Sequence, residues 1–209
     1  MEIVRRAFDA SFETRDEDGV CIITGRPVVL ESRTDLGFCY EVIDARALQN
    51  TDLSDVRLCL NHDTSYVYAR SRNNNGNSTM RINTDAIGLT FEAALDVENS
   101  PKAQDYYAAI KRGDMDKMSF MFTVDGYEWE NLESDHPTRR ITSIGRIFEI
   151  SAVTFPAYNS TSIEARSDEM LDSIKRELES ARQGLKESPD GDLLELAKAK
   201  YFYTRRKSK

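Results

Sequence analysis

Three side chains suited to acyl-transfer chemistry stand in the most apolar, strand-like runs of the chain. His62 closes Val56-Arg57-Leu58-Cys59-Leu60-Asn61-His62, Ser119 sits in Met118-Ser119-Phe120-Met121-Phe122, and Glu149 sits in Ile147-Phe148-Glu149-Ile150-Ser151-Ala152-Val153. Side chains alternate along a strand with a period of two. His62 is therefore expected to continue the row of Val56, Leu58 and Leu60, and Glu149 to share a face with Ile147, Ser151 and Val153. A hydroxyl, an imidazole and a carboxylate are the groups a hydrolase uses as nucleophile, general base and orienter.

Each of the three also has an ordinary explanation. A lone histidine in a strand is more often a packing or interface residue, and serines fill many strands. Glu149 could belong to a buried ion pair with Arg146, Arg139 or Arg140. Left unpaired among hydrophobes, its carboxylate would cost several kcal/mol in lost hydration. Singly, none of the three carries a function.

The elements that must position them read as mostly β from about Val20 to Phe155. Val20–Gly25, Cys39–Ile43 and Gly88–Leu95 are expected strands, the last with Leu89, Phe91, Ala93 and Leu95 on one side. Asp44 looks like the cap of a helical turn. Asn73-Asn74-Asn75-Gly76-Asn77 is a turn cluster, because Asn and Gly tolerate positive φ, and it predicts a hairpin between Tyr66–Arg70 and Ser78–Ile82. One helix is well signposted: Ser100 as N-cap, Pro101 in the first turn, an apolar stripe of Ala103, Tyr106, Tyr107 and Ile110, and Gly113 at the end. Tyr127–Arg140 is polar and turn-like, leading into a long strand from Ile141 to Phe155. After Pro156 the chain becomes charged. Ser167–Leu185 and Gly191–Arg205 read as helices with sparse apolar stripes, separated by Ser188-Pro189-Asp190-Gly191.

The 209 residues suffice for one medium domain with an appendage, and the 31% of charged residues fits such a polar extension. A net charge of −8 disfavours non-specific nucleic-acid binding, and the basic end Arg205-Arg206-Lys207-Ser208-Lys209 reads as a solvated terminus. Three cysteines, Cys21, Cys39 and Cys59, have no paired spacing and read as reduced core residues. With two histidines and scattered thiols, no metal site or cofactor is expected. No leader or membrane-length apolar run is visible, so the chain reads as cytosolic, with no membrane partner.

Taken together, the words around the three residues are more specific. Leu60-Asn61-His62-Asp63, then Ile110-Lys111-Arg112-Gly113-Asp114 leading to Met118-Ser119-Phe120-Met121-Phe122, then Glu149-Ile150-Ser151-Ala152-Val153-Thr154-Phe155-Pro156-Ala157-Tyr158 occur in that order. Between Val20 and Ser162 the chain thus resembles the prohead (capsid maturation) serine proteases of tailed bacteriophages, relatives of the herpesvirus assembly proteases. The resemblance implies a mainly β (α+β) fold: a closed or partly open barrel of the herpesvirus-protease type with peripheral helices. It divides the chain into an N-terminal arm (1–19), a protease barrel domain (20–163) and a charged helical C-terminal appendage (164–209).

By the same resemblance, His62 is the catalytic histidine and Ser119 the nucleophile. Glu149 is the natural third member, although the herpesvirus relatives use a second histidine. His136, in the proline-bounded Ser134-Asp135-His136-Pro137, and Asp63, beside His62, are the alternatives. Relatives often carry glycine where Met121 stands. The implied function is cleavage of a capsid protein or its scaffolding segment inside the procapsid, in the cytoplasm of the bacterial host. Self-cleavage and a homo-oligomer are compatible with it. The competing reading is a non-enzymatic scaffold or internal assembly protein with a protease-like fold. A small-molecule esterase fits less well, since no G-x-S-x-G elbow is present.

Overall fold

The computed structural model describes residues 3–9, 12–17, 20–154 and 165–187. Its strands are β1 (Ile3–Asp9), β2 (Glu13–Glu17), β3 (Val20–Val29), β4 (Arg33–Asp35), β5 (Tyr40–Ile43), β6 (Arg57–Leu60), β7 (Ala69–Arg70), β8 (Met80–Thr84) and β9 (Gly88–Leu95). Helix α1 (Pro101–Arg112) follows, then the long strands β10 (Lys117–Glu130) and β11 (Thr138–Val153), and helix α2 (Ala165–Glu187). The mainly β expectation holds. Among the described residues the strands form two sheets, and no closed barrel is found.

The larger sheet is organised around β11, whose two edges are used differently. One edge pairs antiparallel with β10 along almost its whole length. The other is shared end to end by two parallel strands, β5 at residues 138–141 and β6 at residues 149–152. The chain between β5 and β6 follows the gap, and Asp44, Asp52 and Ile144 keep it tied to β11 by backbone bonds. The smaller sheet runs β2-β3-β9-β8. Apolar faces of both sheets meet in one core that includes Ile23, Leu58, Leu89, Phe91, Met118, Phe120, Phe122 and Ile150. Phe120 and Phe122 stack with ring centroids 4.4 Å apart.

α1 forms as its sequence signals require. The Ser100 hydroxyl accepts the Ala103 N–H at 3.2 Å, Pro101 occupies the first turn, and Gly113 ends the helix with φ 79°. Ala103, Tyr106, Tyr107 and Ile110 are its buried residues.

Three local expectations change. Tyr66–Arg70 and Ser78–Ile82 do not pair as a hairpin. β7 joins β6 in the larger sheet and β8 joins β9 in the smaller, leaving a single backbone bond from Thr79 N–H to Arg70 O between them. The polar stretch Tyr127–Arg140 is not a long turn: β10 runs to Glu130 and β11 begins at Thr138. Its polarity is absorbed by pairing, with Arg140 bonded to Glu130 at 2.6 Å and to Glu31 at 2.9 Å, and Arg139 lying over the Tyr127 ring at 4.5 Å. Residues 1–19, set apart as an arm, supply β1 and β2, and β1 lies against β10 with Ala7 opposite Ser119.

β1 is anchored by charge as well as by its ladder. Arg6 and Glu41 are both buried and form an ion pair, and Arg139 Nη1 donates to Glu41 Oε2 at 3.0 Å. Burial alone would push the Glu41 carboxyl up, but the two guanidinium groups outweigh it and hold it below the usual range. Arg139 Nη2 also lies 3.1 Å from Glu177 Oε2 on α2. That helix packs Ile174, Leu178 and Ala181 on Trp129, Leu132, Leu36 and Cys39, and Arg182 donates to the Leu132 and Ser134 carbonyls. The described part of the C-terminal appendage is thus seated on the β10–β11 turn; the second expected helix, Gly191–Arg205, lies outside the described residues. Cys39 and Cys59 are buried as expected, whereas Cys21 is partly exposed with its thiol donating to Asp16.

Candidate active site

Ser119 and Ser151 are directly opposed across the β10–β11 ladder, and Met121 is opposed to Glu149. Cross-strand partners share a face, with Cβ atoms roughly 4.5–5.5 Å apart. Ser119, Ser151, Met121 and Glu149 therefore occupy one face, the reverse of the one that sends Phe120 and Ile150 into the core. In the parallel register with β6, Ser151 faces Cys59 and Glu149 faces Arg57.

A bulge sets this arrangement. Between the pairs Met121–Glu149 and Phe122–Ile147, β11 advances two residues while β10 advances one. Ile147 consequently joins Phe122 in the core, and Glu149 turns to the opposite face. Simple alternation, which put Glu149 beside Ile147, misses this step.

His62 also departs from alternation. β6 ends at Leu60, and Asn61 and His62 take left-handed conformations with φ of 50° and 62°. For a residue such as histidine that conformation costs roughly 1–3 kcal/mol, so surrounding bonds must hold it. Asn61 N–H donates to Ala152 O at 2.9 Å, and Asn61 Oδ1 accepts from Thr154 N–H at 2.9 Å and from the Thr154 hydroxyl at 3.1 Å. The His62 N–H donates to Ser151 Oγ at 3.1 Å. The turn folds the imidazole back over β11 instead of extending the Leu58–Leu60 row.

There the ring meets Glu149, with Nδ1 2.5 Å from Oε1. A carboxylate oxygen accepts, so Nδ1 carries the proton and Nε2 is left as the basic nitrogen. The second oxygen, Oε2, accepts from the Ser151 hydroxyl at 2.5 Å. Glu149 is 1% exposed and the His62 side chain 13%. None of the arginines considered for Glu149 takes it. Arg139 serves Glu41 and Glu177, Arg140 serves Glu130 and Glu31, and Arg146 approaches Asp52 at 3.5 Å. Arg57, its register partner, bonds Asp55 at 2.9 Å.

Ser119 is fully buried, and its Oγ has no hydrogen-bond partner among the described residues. The structure thus joins His62 to Glu149 directly and sets Ser119 beside them, one cross-strand step from Ser151, with its hydroxyl unengaged. Cys59, the other nucleophile type on this face, is held as a thiol: burial first, then the Glu149 charge, push it up to about 12.

The two alternatives for the third member are placed elsewhere. Asp63 accepts from the backbone and hydroxyl of Ser65, which hold its carboxyl below the usual range. His136 lies beyond the far end of β11, roughly 40 Å along the strand from Glu149 at about 3.3 Å per residue. It bonds Asp35 at 2.9 Å and packs edge-on against Tyr40. Sequence reasoning did not single out Ser151 or Asn61. Their signal is the Asn-His and Glu-x-Ser words themselves, which pair only once the parallel β6–β11 register is known. Among the described residues no cluster of three or more metal-ligand side chains occurs, and no helix is long and apolar enough to cross a membrane.

A family model described as caudovirus prohead serine protease matches residues 8–176 of the chain. No curated protein and no solved structure matches it. The matched span contains His62, Ser119, Glu149 and Ser151 together with both sheets' central strands.

Proposed function

The chain belongs to the caudovirus prohead serine protease family and is a serine peptidase, and from that premise we propose that Ser119, His62 and Glu149 are its nucleophile, general base and orienter. The observation that carries this reading is the His62 Nδ1 to Glu149 Oε1 bond at 2.5 Å, made by a buried carboxylate that, among the described residues, has no arginine on it and is set beside a serine without a hydrogen-bond partner. Ser119 Oγ attacks the scissile carbonyl carbon while its proton passes to His62 Nε2. The imidazolium, steadied by Glu149, returns that proton to the departing amine as the C–N bond breaks. A water molecule then repeats the sequence on the acyl-serine ester, releasing the new carboxyl terminus. The Ser119–His62 hydrogen bond closes when substrate binds, since catalytic contacts often tighten only in that complex.

The substrate we assign is a capsid protein or its scaffolding segment, cut inside the procapsid within the bacterial host. Confinement there raises the effective concentration of protease and target, so weak intrinsic affinity suffices. Self-cleavage fits the same chemistry; the segments where it would fall, after Ala157 and at Ser188–Gly191, lie outside the described residues. The test is co-expression with the capsid precursor. Ser119→Ala is expected to abolish processing, a loss on the order of 10⁴-fold or more, while folding and incorporation into procapsids persist. Unchanged processing would remove the enzyme assignment of Ser119.

A further inference from the structure

Ser151 makes two bonds that link the other parts of the site. Its hydroxyl donates to Glu149 Oε2 at 2.5 Å and accepts the His62 backbone N–H at 3.1 Å. The first bond fixes the carboxylate's rotation, so that Oε1 faces Nδ1. The second holds the left-handed backbone from which the imidazole projects. Ser151 is also the cross-strand partner of Ser119, and so the hydroxyl best placed to compete for it. Its proton goes to Glu149 and one of its two lone pairs takes the His62 N–H, so Ser151 does not donate to Ser119, whose Oγ has no partner among the described residues.

We propose that Ser151 is a positioning residue of the peptidase, locking the Glu149 carboxylate and the His62 turn into one unit while keeping the Ser119 hydroxyl available. This rests on the assignment of Ser119, His62 and Glu149 above. Ser151 takes part in no covalent step: its proton lies toward a carboxylate already bonded to imidazole, not toward a free base.

The test uses the full-length chain and the capsid precursor as substrate. Ser151→Ala is expected to lower kcat roughly 10²-fold, the scale of a misplacement near 1 Å, with KM changed by less than about twofold because substrate contacts are untouched. Ser151→Cys keeps the volume but is a weak donor, and is expected to lose a similar factor even if the alanine variant folds poorly. Ser151→Thr keeps the hydroxyl and recovers most of the rate. In the Ser119→Ala background, the downfield His62 Nδ1 proton resonance should be seen by NMR and should broaden or vanish when Ser151→Ala is added. Full kcat in both Ser151→Ala and Ser151→Cys, or an unaltered imidazole resonance, would overturn the proposal while leaving the triad standing. A fluorophosphonate probe is expected to label Ser119. An adduct on Ser151, or full cleavage by Ser119→Ala, would instead bring down the triad assignment and the positioning role with it.

Discussion

Near each end of β11 a glutamate is buried, Glu41 on the neighbouring β5 and Glu149 on β11 itself, and the two are treated in opposite ways. At the Thr138 end, Glu41 is 2% exposed and pinned between Arg6 and Arg139. At the Val153 end, Glu149 is just as deeply buried but is given an imidazole and a hydroxyl. A carboxylate closed in by guanidinium groups that never lose their charge is a fixed structural joint. A carboxylate whose partner is a ring able to gain and lose a proton at its far nitrogen can support chemistry. Burial and polarity alone do not separate the two; the identity of the partner does.

The comparison breaks most visibly at Glu149. Glu149→Gln keeps the shape but removes the charge that steadies the imidazolium, and is expected to lower kcat by about 10³–10⁴-fold in steady-state cleavage. Thermal unfolding should move little beside it. A variant that kept more than a tenth of the rate would show that the carboxylate is structural, like Glu41.

Glu41→Gln should do the reverse. Removing the acid leaves Arg6 and Arg139 buried without their shared counter-charge, a loss of about 3–5 kcal/mol in chemical denaturation, while the folded fraction still cleaves. Acidity sharpens the contrast. The folded Glu41 carboxyl is held below its ordinary value. Its contribution is thus fully present above the unfolded value of about 4.3 and is lost as pH falls through the lower folded one. The stability gap between wild type and Glu41→Gln should therefore narrow below about pH 4. A gap that stayed constant down to the folded value would show that the ionised form is not the stabilising one.

The two ends differ in how much of them is legible in the sequence. The strand-borne serine and carboxylate stood out because hydrophobes flanked them, and α1 announced itself by its caps. The Glu41 cluster was invisible. Arg6 falls in the stretch that reads as an arm, and Arg139 in one that reads as a turn because its charges are neutralised by residues far away in sequence. The His62 turn reads as strand in the sequence for a related reason. Nothing local forces Asn61 and His62 to positive φ; Ser151 and Thr154, some ninety positions later, hold them there. Glu149 needed a bulge that no periodicity reveals.

The smallest expected effect is at His136, the only histidine at the structural end. Its pair with Asp35 is surface-exposed, so His136→Ala should cost less than about 1 kcal/mol and leave cleavage of the capsid precursor unaltered. A large loss of cleavage would reopen the question of a second catalytic histidine.

The double use of β11 also sets a clock. Both parallel strands that it receives, β5 and β6, are translated well before it; each has an early antiparallel neighbour, but neither finds its β11 edge until residues 138–153 exist. The imidazole, made early, waits about ninety codons for the acid that orients it. A nascent peptidase of this design can cut nothing, including the polypeptides being made around it, until β11 has emerged to meet β6.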